Sequence, residues 1–254
     1  MEASSSLSNA VSEEEWATRV DLAACYRIVA RHGMADLVYN HITAKVPGTE
    51  HFLINPFGML YPTITASCLY KIDLQGRVIT QPDTPYGVNR AGFAIHRAIH
   101  AARPDVTCVY HAHTRAGMAV AAMKCGLLPL SQPSTRFYEH IGYHDFEVPT
   151  ADESEGDRLA RDLGSFEAMI LRNHGLLTVG ATVAEAFNLM YWLDQSCKVQ
   201  VDCLASGQEL TRIDHETALR TGERYRKYGP PALGLLGWRA LLDDLDRTDP
   251  GYKT

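Results

Sequence analysis

The chain has no apolar run approaching the roughly 18 residues that a membrane span requires. Its first sixteen residues, MEASSSLSNAVSEEEW, have neither the basic start nor the apolar stretch of a secretory signal. Cations are in deficit: 24 Lys and Arg stand against 30 Asp and Glu, a formal net charge of −6. That balance argues against a nucleic-acid partner, which calls for a basic face. A small anionic substrate stays possible, because one or two local arginines suffice. None of the six cysteines, Cys25, Cys68, Cys108, Cys125, Cys197 and Cys203, forms a CxxC pair, and most sit in apolar or helical surroundings. Reduced thiols in a cytoplasmic protein are the expectation. The chain also lacks a GxSxG nucleophile elbow, a Walker A loop and a GxGxxG turn. Serine hydrolase, P-loop and dinucleotide-binding chemistry are therefore disfavoured. No internal repeat and no linker divides the sequence. The expectation is a Ser/Ala-rich, disordered stretch over 1–11 and a single domain over 12–254.

What is present is ordinary in one respect and not in another. Hydrophobic residues make up 46% of the 254 positions, enough for a sizeable core. Histidine occurs eleven times. Ser12 and Glu15 have capping-box spacing before apolar positions Trp16, Val20, Ala23, Ala24 and Ile28, and Gly33 suits the left-handed residue that ends such a helix. Strands are expected at 40–46, 51–55, 71–73, 77–80, 105–114, 146–148, 168–171 and 176–179. Helices are expected from Asn89 to Ala101, over 116–124, over 152–163 with an Asp152/Glu155 cap, from Thr182 to about Leu204, and over 215–228. The tail offers Pro230-Pro231 and a short amphipathic stretch at 238–245. This alternation predicts mixed α/β architecture with a central sheet covered by helices.

The chemistry-bearing signal is Val109-Tyr110-His111-Ala112-His113. On a strand, His111 and His113 project to the same side, about 6–7 Å apart along the chain. That suits two imidazoles on one metal. A third ligand must come from elsewhere, and His174, in a tight Asn-His-Gly turn between two apolar strands, is the best candidate. Three histidines with open coordination positions describe a catalytic rather than a structural metal site. His96 and His100 have the i, i+4 spacing of a zinc helix, but no glutamate lies between them, so a partly exposed helix face is the expectation there. His140 and His144 are held in reserve as pocket residues.

Several segments along the chain share a resemblance to one family. Asn89-Arg90-Ala91-Gly92-Phe93-Ala94-Ile95-His96, then Ala102-Arg103-Pro104-Asp105, then His111-Ala112-His113 resemble the centre of the class II aldolase/adducin head-domain family. Leu171-Arg172-Asn173-His174-Gly175-Leu176, with Gly180 and Ala184-Glu185-Ala186, resembles its later signature. Asn40-His41-Ile42-Thr43 and Asn55-Pro56-Phe57-Gly58 resemble its two early loops, and the likeness runs over roughly residues 15–205. It implies a three-layer αβα sandwich with a mostly antiparallel central sheet, and a homo-oligomer, often a tetramer, with sites between subunits. It also implies that His111, His113 and His174 bind a divalent metal, usually Zn2+, with Fe2+, Mn2+ or Co2+ as alternatives.

The chain departs from the sugar-phosphate members. Where they carry an acid/base glutamate, the matching position is Gly92, and their two phosphate-binding serines fall at Arg90 and Ala91. Asn40 and Gly58 remain at the phosphate-loop positions, so these two and Arg90 are the expected substrate contacts, Arg90 as a grip for a carboxylate. Glu139, Tyr138 or His140 would replace the lost base, and Glu139 could also complete the metal shell. Tyr225 lies where family aldolases supply a tyrosine proton donor, but no local motif anchors it. The resulting expectation is a metal-dependent lyase, by aldol cleavage or decarboxylation through a metal-stabilised enolate, on a small oxo- or hydroxy-carboxylate. An Fe(II) oxygenase and a non-catalytic adducin-like domain are the alternatives.

Overall fold

The structure, a computed structural model, describes residues 7–147, 153–228 and 230–254. Of the stretch expected to be disordered, residues 1–6 lie outside this range. Residues 7–10 form a helical turn, closed by the Ala10 N–H donating to the Leu7 carbonyl at 2.9 Å. Helix α1 (Glu13–Arg31) follows, and Ser12 Oγ accepts the Glu15 N–H at 3.1 Å as its cap. The reciprocal half of the capping box does not form. The Glu15 carboxylate instead takes Arg19 Nε at 3.0 Å and Lys71 Nζ at 2.6 Å. Gly33, at φ +66°, turns the chain out of the helix as expected.

Eight strands form one sheet: β1 (His41–Lys45), β2 (His51–Ile54), β3 (Tyr70–Asp73), β4 (Val78–Thr80), β5 (Cys108–Ala112), β6 (Gly142–His144), β7 (Ala168–Leu171) and β8 (Gly175–Gly180). Their order is β4-β3-β2-β1-β5-β8-β7-β6, and every pairing is antiparallel except β6 with β7. The strand period of two then sorts the side chains into two cores. Ile42, Ala44, Cys108, Tyr110, Ala112, Ile170 and Leu176 pack with α1, α3 (Arg115–Ala121), α5 (Val183–Ala205) and α7 (Pro230–Thr248). Val109, Met169, Leu171, Leu177 and Val179 face the other way, toward Ile99 of α2 (Arg90–Ala102) and Leu159 and Leu163 of α4 (Glu153–Leu163). A third cluster extends that second face, where Phe52, Ile54, Tyr70 and Ile72 meet Phe93 of α2. The layering is αβα, as expected. Among the described residues, no helix is long and apolar enough to cross a membrane.

Several boundaries differ from expectation. The strand at 105–114 is confined to Cys108–Ala112, because Thr114 caps α3 by accepting the Gly117 N–H at 3.1 Å. That helix ends at Ala121 rather than Lys124. The strand expected at 146–148 is instead Gly142–His144; Phe146 and Glu147 are irregular, and Val148 lies outside the described residues. Pairing stops at His144 because its carbonyl accepts the Arg172 N–H (2.8 Å) just as the neighbouring strand turns away. Asp152 also lies outside the described residues. The amphipathic stretch at 238–245 belongs to the 19-residue α7, which opens on Pro230-Pro231. Proline is tolerated there, since first-turn N–H groups have no intrahelical partner. Helix α6 (His215–Tyr228) packs on the 3-10 turn Pro133–Phe137, and a Cβ on Gly222 would stand 2.6 Å from the Thr135 carbonyl.

Candidate metal centre

The end of β5 and the β7–β8 turn bring three imidazoles together. His111 Nε2 lies 2.8 Å from His113 Nε2, which lies 3.0 Å from His174 Nε2. The three are the His/Cys/Asp/Glu cluster of metal-binding proportions found among the described residues. His174 is presented by a three-residue turn between the paired Leu171 and Gly175, with Asn173 in the left-handed region at φ +58°. Asparagine tolerates that conformation better than most residues. Gly175 must be glycine for another reason: a Cβ there would sit 2.5 Å from the Ala112 carbonyl.

Hydrogen bonding fixes which ring nitrogens face inward. His111 Nδ1 is 2.9 Å from the Leu176 carbonyl, which can only accept, so Nδ1 carries the proton. His113 Nδ1 faces the Asp36 carboxylate at 3.1 Å. The Nε2 atoms of the two rings point at one another. That arrangement is repulsive alone and suits a shared cation. Nitrogens on a tetrahedral zinc are roughly 3.3 Å apart, a few tenths beyond these contacts. Burial, reinforced by the neighbouring histidines, pushes the His111 imidazole well below its ordinary pKa and holds His174 down to about 4. The donor set therefore fits a divalent metal, and the Leu176 and Asp36 contacts supply the outer hydrogen bonds that orient metal-bound histidines.

His96 and His100 do not lie on an exposed face, contrary to the expectation; both are buried, His96 completely. Gly92, His96 and His100 form an i, i+4, i+8 stripe on α2 that faces the sheet. His96 Nε2 is 2.8 Å from His41 Nδ1, its Nδ1 is 2.8 Å from Thr43 Oγ1, and Thr43 Oγ1 is 2.9 Å from His100 Nε2. His41 is the cross-strand partner of His111, with ring centroids 5.2 Å apart. Burial first, and His113 and His174 second, push its pKa down to about 3. A Cβ on Gly92 would lie 2.3 Å from His41 Nε2. The imidazole of His41 thus occupies the space that a side chain at position 92 would need.

The triad opens onto a cavity of about 250 Å³ whose walls include His41, Gly92, His144, Glu155 and Arg172. Of the two reserve histidines, His144 is there, with Nδ1 2.6 Å from Asp162 Oδ2 and Nε2 3.7 Å from Glu147 Oε1, without a hydrogen-bond partner among the described residues. His140 is not; it packs on Phe166. Tyr138 and Glu139 also miss the cavity. The turn after Pro133–Phe137 aims both at α6, where the Tyr138 hydroxyl and His215 Nδ1 are 3.1 Å apart and Glu139 pairs with the same imidazole at 3.6 Å. Asn40 is buried with its amide committed to the backbone, accepting the His113 N–H (3.1 Å) and donating to the Met34 carbonyl (3.0 Å). Gly58 is overlaid by the Tyr86 ring. Arg90 is exposed on the first turn of α2 and outside the cavity lining. His41 and Arg172, which lie within the family-like stretches 40–43 and 171–176, line the cavity without having been expected as site residues. The signal for His41 was available in the alternation His41-Ile42-Thr43, which predicts two polar groups on one strand face. Arg172 Nη1 donates to the Met123 carbonyl at 2.8 Å while the guanidinium stacks over Tyr143.

With this geometry in place, comparison with known proteins is direct. The family described as "Class II Aldolase and Adducin N-terminal domain" matches residues 20–201. This chain belongs to that family. A Pseudomonas aeruginosa protein provisionally named a class 2 aldolase is 48% identical over 96% of this chain and 94% of its own length. Alpha-adducin of Rattus norvegicus is 49% identical over 190 residues, which span 74% of this chain but only 26% of the adducin. Among solved structures, an aldolase II superfamily protein from Pseudomonas syringae superposes with a TM-score of 0.94 at 43% identity, covering 98% of this chain and all of the other. An L-fuculose 1-phosphate aldolase from Glaciozyma antarctica gives 0.83 at 31% identity, covering 95% and 93%. The mostly antiparallel αβα fold is that of the family.

Proposed function

We propose that this class II aldolase family member is a metal-dependent carbon–carbon lyase acting on a small oxo- or hydroxy-carboxylate. The single observation that carries the reading is the triad of Nε2 atoms, two of them oriented by outside acceptors, at the mouth of a small cavity. His111, His113 and His174 would hold the metal. Zn2+ is the first choice, and Fe2+, Mn2+ and Co2+ suit the same nitrogen donors. A divalent ion held there supplies Lewis-acid polarisation of a substrate carbonyl or hydroxyl. His41 takes the place of the missing glutamate: its Nε2 faces the cavity beside Gly92, while Nδ1 is tied to His96, so a fixed, neutral ring presents one nitrogen to the substrate as a hydrogen-bonding and positioning group. Arg172, which lines the cavity where Arg90 does not, is the cation we assign to the substrate carboxylate. Glu139, Tyr138 and His140 lose that assignment within their own chain. The protein would work in the cytoplasm as a homo-oligomer, a tetramer in the family pattern.

The adducin likeness favours a second, non-catalytic reading, and metal content separates the two. Protein purified without chelators is expected to carry close to one divalent metal per chain by elemental analysis. His174→Ala should lose it while keeping the wild-type circular dichroism spectrum. Less than about a tenth of an equivalent in the wild type would overturn the lyase reading. Oxygen consumption with Fe2+ and candidate acids would favour the oxygenase instead.

A further inference from the structure

A second and larger cavity, of about 560 Å³, lies on the opposite face of the sheet from the histidine triad, among α5, α6, α7 and the 3-10 turn Pro133–Phe137. Its size falls within the roughly 300–1,000 Å³ of small-molecule sites. Its walls are aromatic: Phe187, Tyr191 and Trp192 from α5, Tyr225 from α6 and Trp238 from α7. One permanently charged group lines it, Arg136, whose residue is only 8% exposed. Among the described residues the Arg136 guanidinium makes no close hydrogen bond or ion pair; Glu167 and Glu185 attract it only at longer range, and its Nη2 is a buried donor with no partner. A buried cation left so costs free energy until an anion joins it. Gly222 makes the enclosure possible, because only a residue without a Cβ lets α6 close on Thr135, next to Arg136. Tyr225, Gly234, Gly237 and Trp238 come from beyond residue 201, where the family match ends. The cavity therefore sits between the family domain and this chain's C-terminal helices.

A guanidinium offers paired N–H groups that match a carboxylate bidentately. The flanking rings offer edge and face contacts to a planar apolar body. A buried guanidinium N–H without a close partner calls for an acceptor, and an anionic one suits it best. We propose that this cavity is a binding site for a small aromatic monocarboxylate, separate from the metal centre, with the carboxylate on Arg136 and the ring among Phe187, Tyr191 and Trp238. This inference does not depend on the lyase reading.

Titration calorimetry of the full chain with 3-phenylpropionate tests it. Saturable binding of one molecule per chain with a Kd below about 1 mM is expected. The uncharged 3-phenylpropanamide should bind at least tenfold more weakly, and Arg136→Gln should weaken the acid by a similar factor. His174→Ala should leave binding of the acid unchanged. Absence of saturable binding would overturn the proposal. So would equal affinity for acid and amide, a comparison made on the wild type that stands even if the Arg136 variant does not fold. Loss of binding in His174→Ala would place the ligand in the metal pocket and overturn it as well.

Discussion

At the scale of single residues, the decisive relationship is between Gly92 and His41. A methyl group at position 92 would stand 2.3 Å from His41 Nε2 and 2.5 Å from its Cδ2, far inside contact distance. Gly92→Ala should therefore destabilise the protein by about 1–3 kcal/mol despite the better helix propensity of alanine. Urea unfolding is the check, and an unchanged or raised midpoint would contradict it. The buried pair behind His41 also gives the protein a pH dependence. Burial holds His100 down to about 3 and His96 well below the ordinary 6.5. Between those values and 6.5 the unfolded chain binds protons that the folded chain refuses, so stability falls as the pH drops below about 6.5. The slope is about 1.4 kcal/mol per pH unit for each such histidine. Unfolding midpoints from pH 7.5 to 4.5 should decline accordingly, and a flat profile would be inconsistent with the buried relay. These histidines illustrate what the sequence could convey. The HxH strand and the His-Gly turn were legible because their spacing acts locally. That His96 and His100 are buried was not, because it depends on which face of α2 meets β1, a long-range choice.

At the scale of elements, local signals served well and edges poorly. The Asn89 and Thr182 caps are formed as spaced, accepting the Gly92 N–H at 3.0 Å and the Glu185 N–H at 3.1 Å. Strand β6 was misplaced because its position is set by parallel pairing with β7, which leaves no period in so short a segment. The missed half of the Ser12 capping box has the same origin: a tertiary demand outbids a local one. Arg19 is fully buried in α1, donating to Glu15, to the Ala66 carbonyl (3.2 Å) and to the Leu69 carbonyl (2.9 Å), and among the described residues Glu15 is its counter-charge. Lys71 brings β3 to the same carboxylate. Removing one partner of a buried pair strands the other, so Glu15→Ala should cost about 3–5 kcal/mol. Thermal and urea unfolding would reveal it; a loss under about 1 kcal/mol would show that the network contributes little.

At the scale of the whole molecule, the layered fold followed from alternating patterns and from a resemblance that covered most of the chain. The packing of α7 did not, because its sequence reads as scattered glycines and prolines until it is seen against α5. The chain end is tied firmly into the domain. The Ala66 N–H donates to the Tyr252 carbonyl and the Ser67 N–H to the Thr254 carbonyl, both at 2.9 Å, and Arg27 Nη1 reaches Asp249 at 2.5 Å. Removing residues 249–254 should strip these partners and lower stability by about 2 kcal/mol or more, read by differential scanning calorimetry against the full chain. An unchanged melting temperature would mean that the terminus merely rests on the surface.

The crowding at Gly92 also bears on which pairs of residues positions 41 and 92 can hold. Glutamate introduced at 92 in the present chain collides with the His41 ring, and trimming His41 alone leaves a hole beside the metal histidines. Each single change is harmful where the pair together need not be, so the two positions are epistatic. A larger residue at 92 enters through a paired replacement or through a state small at both places, and positions 41 and 92 should vary together across the family.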